Sequence, residues 1–326
     1  MKAAIYTQSG PSAVVQITDV EKPVPEDNEV LIRVRAASVN PRDYHLMKSR
    51  PYVFGLFRIL FRLPKPKITG PGVDVAGEVE AVGRNVTQFK PGDEVFGVCQ
   101  GAFAEYACAS ETDLILKPDK VTFEQAASAP VAAFTALQGL RDKGQIQPGQ
   151  KVLVNGAAGG VGTFTVQIAK WLGAEVTGVC STRNVEMVRS LGANRVIDYT
   201  QEDFTQSGQR YDLIFDLVAN HSLLACRRVL NPQGIYLGAG ILAVRSMIRI
   251  LARMLKTLVL SWFVSQKFVV FMARRSQEDL TVVRELMQSG KVTPVIDRSY
   301  RLSEVPAAIR YLAEGHARGK VVITLE

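Results

Sequence analysis

The sequence predicts an α/β fold in two domains: a barrel-like domain of short strands and a domain built on a parallel sheet. Strand-like runs separated by glycine turns fill the first 118 residues, and a regular alternation of strands and helices follows them. The chain of 326 residues is also long for one hydrophobic core. We therefore predict a domain boundary near Pro118.

The amino-terminal part is predicted to be all-β. Apolar and polar residues alternate over 29–39 (EVLIRVRAASV), as they do in a half-buried strand. Further strands are predicted, in chain order, at 2–6, 13–18, 72–83, 93–98 and 101–110. Many short strands with glycine turns between them favour a barrel-like domain.

The predicted α/β domain begins with a helix whose start is marked by a capping box. Thr122 and Gln125 are three residues apart, ahead of an alanine-rich run, so each side chain can cap the other's backbone N–H. The elements predicted after it are strands at 151–155, 175–180, 195–199, 211–218 and 235–240, helices at 160–173, 184–192 and 222–230, and a turn at 231–234. This order is typical of a parallel sheet with crossover helices.

The carboxyl-terminal part is predicted to return to the first domain. It contains a candidate edge strand at 268–273, a helix at 278–290 and a final strand at 320–325. The predicted organisation is a first segment over 1–118, the α/β domain over 119–272, and a second segment of the first domain over 273–326.

Composition and charge favour a cytoplasmic protein. The formal net charge is +8; such an excess usually reflects a solvated basic surface, and it also favours anionic ligands and acidic membrane faces. The sequence has no zinc-finger spacing and no block of consecutive basic residues, so nucleic acid is not an expected partner. The four cysteines are scattered and the amino terminus has no apolar signal-peptide core, which favours a reducing cytoplasm. No apolar run is long enough to suggest a membrane-spanning helix.

A glycine-rich turn after the strand at 151–155 predicts a dinucleotide site. The turn carries Ala157, Gly159 and Gly162, and a helix follows directly. Small residues let the backbone approach a pyrophosphate, and the helix N-terminus offers N–H groups and partial positive charge. The pattern departs from G-x-G-x-x-G at its first position, which is alanine. A purely structural tight turn is the alternative.

The end of the next strand favours NADPH over NADH. An NAD site usually carries Asp or Glu about 20 residues after the glycine loop, where it accepts hydrogen bonds from the ribose hydroxyls. This chain has Cys180 there, followed by Ser181, Thr182 and Arg183. Hydroxyl groups and a guanidinium suit a 2′-phosphate. The alternative is that Ser181 caps a helix and Arg183 is simply solvated.

Seven stretches, spread over nearly the whole chain, match one family in its own order. They are AASVNPRDYHL, GVDVAGEVEAVG, KPGDEVFGV, GAFAEYA, APVAAFTAL, AAGGVGTFTVQIAKWLGA and GHARGKVVI. On these stretches the chain resembles the medium-chain dehydrogenase/reductase superfamily, in its zinc-independent, quinone-oxidoreductase-like branch. The resemblance implies a discontinuous GroES-like β-barrel domain and a Rossmann domain with a doubly wound parallel sheet, with the active site in the cleft between them.

Comparison with zinc-bearing members of the same family implies that this chain binds no zinc. Those relatives have Cys at the position of Asn40 and His at Val73, and a third ligand near 129–137, where this chain has no Cys. Cys99 and Cys108 cannot supply the close run of cysteines of their structural zinc site. Neutral oxygens and one histidine fall short of the three or four N or S donors that zinc requires.

Without zinc, the expected hydride acceptor is already electron-poor. No Lewis acid polarises an ordinary ketone or aldehyde, whereas quinones and α,β-unsaturated carbonyl compounds spread negative charge onto an oxygen that hydrogen-bond donors can stabilise. We therefore predict an NADPH-dependent reductase of quinones or enones. The alternatives are a zinc-free alcohol dehydrogenase or aldehyde reductase, and an NADPH-binding structural or regulatory protein with little turnover.

Candidate catalytic residues follow the long third strand. The resemblance places Asn40 beside the nicotinamide, with its amide available to cofactor or substrate; capping of the next helix is its other role. Asp43 is predicted to orient its neighbours, or to be a first-turn carboxylate. Tyr52 is similar to a loop tyrosine that lines the substrate pocket in some relatives, and is either the proton donor or an exposed loop residue. Tyr44 is the spare candidate, and His45 is interpreted as structural.

The resemblance also assigns residues to each part of the cofactor. Thr135 is assigned to the nicotinamide, and Tyr199 to the adenosine phosphate or, alternatively, to an aromatic cap of the sheet. Close backbone approach to the nicotinamide ribose is expected at the glycines that end the strand at 235–240. The complete predicted set is Asn40, Thr135, Ala157, Gly159, Gly160, Val161, Gly162, Ser181, Arg183, Tyr199, Gly238 and Gly240.

Two apolar segments with basic residues, 52–67 and 241–263, have two interpretations. In the first, they rest on an anionic membrane surface as a peripheral contact. In the second, they cover the active-site cleft or pack against a second subunit, and their basic side chains reach solvent. The favoured interpretation is the second. The edge strand at 268–273 is of the kind that relatives pair across a dimer, so a homodimer is predicted.

Overall fold

The computed structural model describes residues 1–6, 15–48, 70–239 and 264–325. The chain divides into two compact units. The first unit is discontinuous and comprises Met1–Val131, Arg275–Gln288 and Ile296–Glu326; the second comprises Ala132–Arg274 and Ser289–Val295. The segments 52–67 and 241–263, for which two interpretations were given, lie outside the described residues, as do the predicted site residues Tyr52 and Gly240.

The helices and strands of the described residues follow the predicted order, with a strand at Leu114–Leu116 and a helix at Val305–Ala313 that were not predicted. The strands are β1 (Lys2–Tyr6), β2 (Val15–Asp19), β3 (Glu29–Val39), β4 (Asp74–Val82), β5 (Glu94–Val98), β6 (Tyr106–Ser110), β7 (Leu114–Leu116), β8 (Lys151–Asn155), β9 (Glu175–Cys180), β10 (Arg195–Asp198), β11 (Tyr211–Asp216), β12 (Leu230–Gly238), β13 (Lys267–Val270), β14 (Ile296–Arg301) and β15 (Lys320–Thr324). The helices are α1 (Pro41–Lys48), α2 (Phe123–Ser128), α3 (Pro130–Gln138), α4 (Gly160–Trp171), α5 (Val185–Ser190), α6 (Leu223–Arg228), α7 (Gln277–Gln288) and α8 (Val305–Ala313). None of the helices in this described part is long and apolar enough to span a bilayer.

The first unit is organised around β3. Its sheet has the order β14-β15-β3-β4-β5-β7, with β6 also paired to β3, while β1 and β2 form a separate antiparallel pair. The predicted half-buried alternation along β3 is wrong, because Arg33 alone of its eleven residues is exposed. Two register shifts against β4 interrupt the alternation, and α2 packs against the strand. The buried apolar side chains of this strand therefore enter the core of the unit.

The predicted capping box at the start of α2 is confirmed. The Thr122 hydroxyl accepts the Gln125 N–H at 3.2 Å, and the Gln125 side-chain oxygen accepts the Thr122 N–H at 3.1 Å. The helix packs on β3, β4 and β15. The first unit therefore continues past Pro118 as far as Val131, and α2 belongs with the barrel-like strands rather than with the parallel sheet.

The second unit is built on a six-stranded parallel sheet. Its order is β10-β9-β8-β11-β12-β13, and every neighbouring pair is parallel. The strand that comes first in sequence, β8, lies in the middle, and the order reverses between β8 and β11. In doubly wound sheets, ligands bind at the carboxyl edge of the strands at such a reversal.

Two predictions about the last strands of this sheet need correction. The turn predicted at 231–234 lies inside β12, where the pairing with β11 jumps from Leu230 to Ile235. The turn residues Asn, Pro and Gly are thus accommodated as an irregularity within the strand. The predicted edge strand ends at Val270 and is shorter than expected, although it does lie at the end of the sheet order.

Candidate functional site

The turn between β8 and α4 brings backbone N–H groups to the carboxyl edge of the parallel sheet. Gly159 precedes the helix, which begins at Gly160. The N–H of Thr163 donates to the C=O of Gly159 at 2.9 Å. The N–H groups of Gly160, Val161 and Gly162 come before this bond and have no partner within the helix. Together with the helix dipole they suit an anion.

Space and backbone conformation require glycine at two places in this turn. A Cβ at Gly162 would lie 2.1 Å from the carbonyl oxygen of Gly156. Gly156 itself has φ +91°, which favours glycine. The tight turn is therefore made by Gly156, which the sequence reasoning missed because it aligned the motif on Ala157. Ala157 is fully buried and its N–H donates to the C=O of Val179 at 3.0 Å.

A buried polar network joins β8 and β11 where the strand order reverses. Asn155 Nδ2 donates to Asp216 Oδ1 at 2.9 Å, and the Tyr236 hydroxyl donates to Asp216 Oδ2 at 2.6 Å. Asp216 Oδ1 also accepts the N–H groups of Val218 and Ala219. The network holds the loop after β11 against the edge that carries the glycine turn. Sequence reasoning missed it, although a carboxylate that ends an apolar strand (YDLIFD) was a usable signal.

Ser181 and Arg183 follow the end of β9, and Tyr199 follows the end of β10, which pairs with β9. The N–H of Tyr199 donates to the C=O of Cys180 at 3.0 Å, and Arg183 and Tyr199 are both exposed. The Ser181 side chain does not cap the following turn; its hydroxyl accepts from Asn184 Nδ2 at 3.2 Å. Asn184 Oδ1 is buried and has no hydrogen-bond partner among the described residues.

One carboxylate that was not predicted also lies at this edge. Asp198 ends β10 and pairs in register with Cys180 of β9. Its Oδ1 accepts from the N–H and hydroxyl of Thr200, and its Oδ2 accepts from Gln201 Nε2. A hydrogen bond from Thr182, together with those from Thr200 and Gln201, holds the pKa of Asp198 below its ordinary value. Both carboxylate oxygens are thus engaged within the loop.

The remaining described cofactor candidates of the second unit are Thr135 and Gly238. Gly238 ends β12 and pairs in register with Asp216, so it lies at the carboxyl edge with the glycine turn. Thr135 is buried within α3, with 9% of its surface exposed.

In the first unit, Asn40 belongs to a buried polar cluster, which we call the Asn40 cluster. It consists of Ser38, Asn40, Asp74 and Lys320. Lys320 Nζ lies 2.8 Å from Asn40 Oδ1 and 3.2 Å from Asp74 Oδ2. The Lys320 side chain is 3% exposed and that of Asp74 is fully buried. Asp74 Oδ2 also accepts from the Ser38 hydroxyl at 2.7 Å.

The cluster determines which end of the Asn40 amide faces which partner. An ammonium only donates and an ionised carboxylate only accepts, so Oδ1 faces Lys320 and Nδ2 faces Asp74, at 2.9 Å. Nδ2 also donates to the C=O of Ser38 at 3.3 Å. Among the described residues, both amide hydrogens of Asn40 are therefore used within the cluster. Its predicted contact with cofactor or substrate stays a prediction.

The side chain of Asp43 is buried and accepts hydrogen bonds from two backbone N–H groups. Its Oδ2 accepts the Asn40 N–H at 2.8 Å and its Oδ1 accepts the Gly72 N–H at 3.0 Å. Burial, with a smaller contribution from the charge of Asp74, raises the pKa of Asp43 to about 6, against the lowering effect of these two hydrogen bonds. Of the neighbouring candidates, Tyr44 packs half-buried against the core of the unit. The side chain of His45 lies outside the described residues.

Comparisons with known proteins identify the family. The chain matches the model of the alcohol dehydrogenase GroES-like domain over 26–119 and that of zinc-binding dehydrogenases over 191–323. It is 33% identical to the chloroplast envelope quinone oxidoreductase homolog of Arabidopsis thaliana, over 99% of this chain and 98% of that protein. It is also 33% identical to the chloroplastic NADPH-dependent alkenal/one oxidoreductase of the same plant, over 99% and 79%. The solved quinone oxidoreductase of Coxiella burnetii superposes with a TM-score of 0.85, at 32% identity over 100% of this chain and 99% of that one.

The chain belongs to the medium-chain dehydrogenase/reductase family. Its branch is the quinone-oxidoreductase-like one, as the sequence predicts, and its activity is NAD(P)H-dependent oxidoreduction. The predicted fold class, a GroES-like domain with a Rossmann-like parallel-sheet domain, is confirmed.

The residues of this medium-chain reductase do not fit the zinc that one of the two family models implies. Asn40 Oδ1 already accepts a hydrogen bond from the ammonium of Lys320. Val73 is a buried aliphatic residue with no side-chain atom that could bind a metal. Burial raises the pKa of the Cys99 thiol to about 12, which disfavours a thiolate ligand. Within the described ranges, no group of three or more His, Cys, Asp or Glu could hold a metal ion.

The raised pKa of Asp43 predicts a measurable pH dependence of stability. The folded protein holds this proton up to about pH 6, whereas the unfolded chain releases it near pH 4, as is usual for aspartate. The native state thus binds more protons between these values, and stability falls as pH rises through them. Relative to Asp43→Asn, the free energy of unfolding of the wild type should decline by up to about 3 kcal/mol from about pH 4 to about pH 7.

The measurement is urea unfolding of both proteins at several pH values, with Asp19→Asn as a control at an exposed carboxylate. The asparagine at 43 leaves one backbone N–H without its acceptor, which is a penalty independent of pH. For each variant, the free energy of unfolding is subtracted from that of the wild type at every pH. The assignment is contradicted if this difference falls with pH no more steeply for Asp43→Asn than for Asp19→Asn.

Proposed function

We propose that this protein is an NADPH-dependent reductase that transfers hydride to quinones or α,β-unsaturated carbonyl compounds without a metal ion. The observation that carries the cofactor preference is the end of β9, which has Cys180, Ser181 and Arg183 in place of a carboxylate. The relatives named for quinone and alkenal/one reduction support the substrate class.

The carboxyl edge of the parallel sheet supports binding of a dinucleotide phosphate. The free N–H groups at the start of α4 fit a pyrophosphate, and the clash of a Cβ at Gly162 shows how closely the backbone packs there. The exposed side chains of Arg183 and Tyr199, with Ser181 beside them, fit a 2′-phosphate. Asp198 does not substitute for the missing ribose-binding carboxylate, because its oxygens are engaged by Thr200 and Gln201.

The Asn40 cluster supports chemistry without a Lewis acid. Its cation is the ammonium of Lys320, and its residues do not fit zinc. The nicotinamide supplies the hydride when it is bound. The acceptor must then stabilise its own developing charge, and quinones and enones do so by delocalisation. Asp43 contributes by accepting the backbone N–H groups of Asn40 and Gly72, which lie on either side of residues 49–69 in the sequence.

The test is a comparison of acceptors with purified protein. We expect loss of NADPH absorbance with a small quinone or an enone and very slow loss with an aliphatic aldehyde, because only the first two delocalise the transferred charge. Efficient turnover of the aldehyde would contradict the metal-free mechanism. Tight NADPH binding without turnover of any of the three would favour a structural or regulatory role.

A charge deletion tests the 2′-phosphate assignment. We expect Arg183→Ala to weaken NADPH binding by about tenfold to about a hundredfold, the usual loss for a hydrogen bond between charged groups, and to change NADH binding by less than about twofold. The control is Arg189→Ala, which removes an exposed arginine of α5 that is paired with Glu186. Dissociation constants from fluorescence titration give the result. Equal losses for both cofactors would overturn the assignment.

A further inference from the structure

Three arginines of the second unit line one groove at the amino edge of the parallel sheet, which we call the arginine groove. They are Arg210, Arg227 and Arg228, and the groove has a volume of about 520 Å³. Arg210 directly precedes β11, while Arg227 and Arg228 end α6, which leads into β12. The six residues of β11 place its two ends about 17 Å apart, at about 3.3 Å per residue. The arginines therefore lie at the opposite edge of the sheet from the glycine turn.

The positive charge of this groove is not compensated by carboxylates. Among the described residues, its lining includes no Asp or Glu, and none of the three arginines forms an ion pair. Arg210 Nη1 donates to the C=O of Leu230 at 3.0 Å, and Arg227 Nε donates to Gln266 Oε1 at 3.4 Å. Both acceptors are neutral, and Arg228 is exposed. Three uncompensated cations that line one groove attract an anion.

The groove is also lined by a buried amide that lacks a partner for its hydrogens. Gln266 directly precedes β13 and is 8% exposed. Its Oε1 accepts from Arg227, but its NH2 group has no hydrogen-bond partner among the described residues. A buried donor without an acceptor is costly, so most such donors in proteins are paired. Because Gln266 lines the groove, an acceptor atom bound there would supply the missing partner.

The donors of the groove define the chemistry of its ligand. Guanidinium and amide NH2 groups only donate, and the Ser222 hydroxyl, which accepts the Ala225 N–H at 3.1 Å, still has its own hydrogen to donate. A ligand that meets these groups must therefore be an acceptor. A phosphate group has several acceptor oxygens and up to two negative charges, and its geometry matches the fork of a guanidinium. It fits three arginines better than a carboxylate, which has a single charge.

We propose that the arginine groove is a binding site for a terminal phosphate group, which Arg210, Arg227 and Arg228 hold and which Gln266 contacts as a neutral donor. None of these residues is assigned to the cofactor or the substrate, so the inference goes beyond the proposed function and does not depend on it. Such a phosphate is carried by soluble phosphates and by phosphatidic acid in a lipid surface. Leu224, which lines the groove and is 61% exposed, offers an apolar contact to the second of these.

Titration calorimetry with inorganic pyrophosphate tests the site. The titration is run in the presence of NADPH at a concentration that fills the glycine turn, and again without cofactor. We expect one pyrophosphate per chain to bind when NADPH is present, and its affinity to fall as salt is added, because exposed charges are screened. Binding that is retained with NADPH separates the groove from the nucleotide site.

Charge deletions in the groove should weaken pyrophosphate binding. We expect Arg227→Ala and Arg228→Ala each to raise its dissociation constant about tenfold, the usual loss for one hydrogen bond between charged groups. Arg227→Lys keeps the charge without the fork and should lose less. Gln266→Met removes the neutral donor and should raise the constant about fivefold. The control is Arg189→Ala, which removes an exposed arginine of α5 that is paired with Glu186, and it should leave the constant unchanged.

A second arm identifies the source of the phosphate. Sedimentation with phosphatidylcholine vesicles, with and without phosphatidic acid, is measured for the wild type and for Arg227→Ala/Arg228→Ala. Binding that requires phosphatidic acid and is lost in the double variant supports a lipid headgroup as the ligand. Pyrophosphate binding without vesicle binding supports a soluble phosphate.

The outcomes that overturn this site differ from those that overturn the proposed function. The site is overturned if the wild type does not bind pyrophosphate, if NADPH abolishes the binding, or if Arg227→Ala/Arg228→Ala binds as tightly as the wild type. Binding of polyglutamate without binding of pyrophosphate overturns it in favour of an acidic peptide. A protein that binds pyrophosphate through the groove but binds no NADPH overturns the proposed function alone.

Discussion

The ion pair between Lys320 and Asp74 is the interaction on which the candidate chemistry of the first unit depends. It places a positive charge in contact with Asn40, inside the protein. Two unit charges about 4 Å apart repel by about 4 kcal/mol at an effective dielectric constant of about 20, and a divalent ion doubles this. A zinc ion at Asn40 would therefore compete with a cation that the fold already supplies.

The second unit meets a different constraint, which is backbone access to an anion. Gly156 and Gly162 let the chain turn and let α4 start close to β8, so N–H groups that have no partner within the helix lie at the edge of the sheet. The network around Asp216 ties the ends of β8 and β11 together at the same edge. Rigid support of this kind reduces the entropy lost when a ligand binds.

Local patterns were sufficient to predict the elements, and partly sufficient to predict the site. The capping box at Thr122 and the strand–glycine–helix order at Gly159 act between near neighbours, so they can be read from the chain. The Asn40 cluster joins residues 280 positions apart, Asn40 and Lys320, and no periodicity connects them. The burial of both faces of β3 also escaped prediction, because it depends on which strands and helices surround that strand. The turn residues inside β12 were misplaced because their local preference yields to pairing with β11.

The central claim is that a lysine, and no metal, provides the positive charge at Asn40. The most direct measurement is the metal content of the purified protein, together with its quinone reductase activity after exhaustive chelation. We expect far less than one zinc per chain and full activity after chelation. Stoichiometric zinc that is required for activity, with loss on chelation and recovery when zinc is added back, would contradict it.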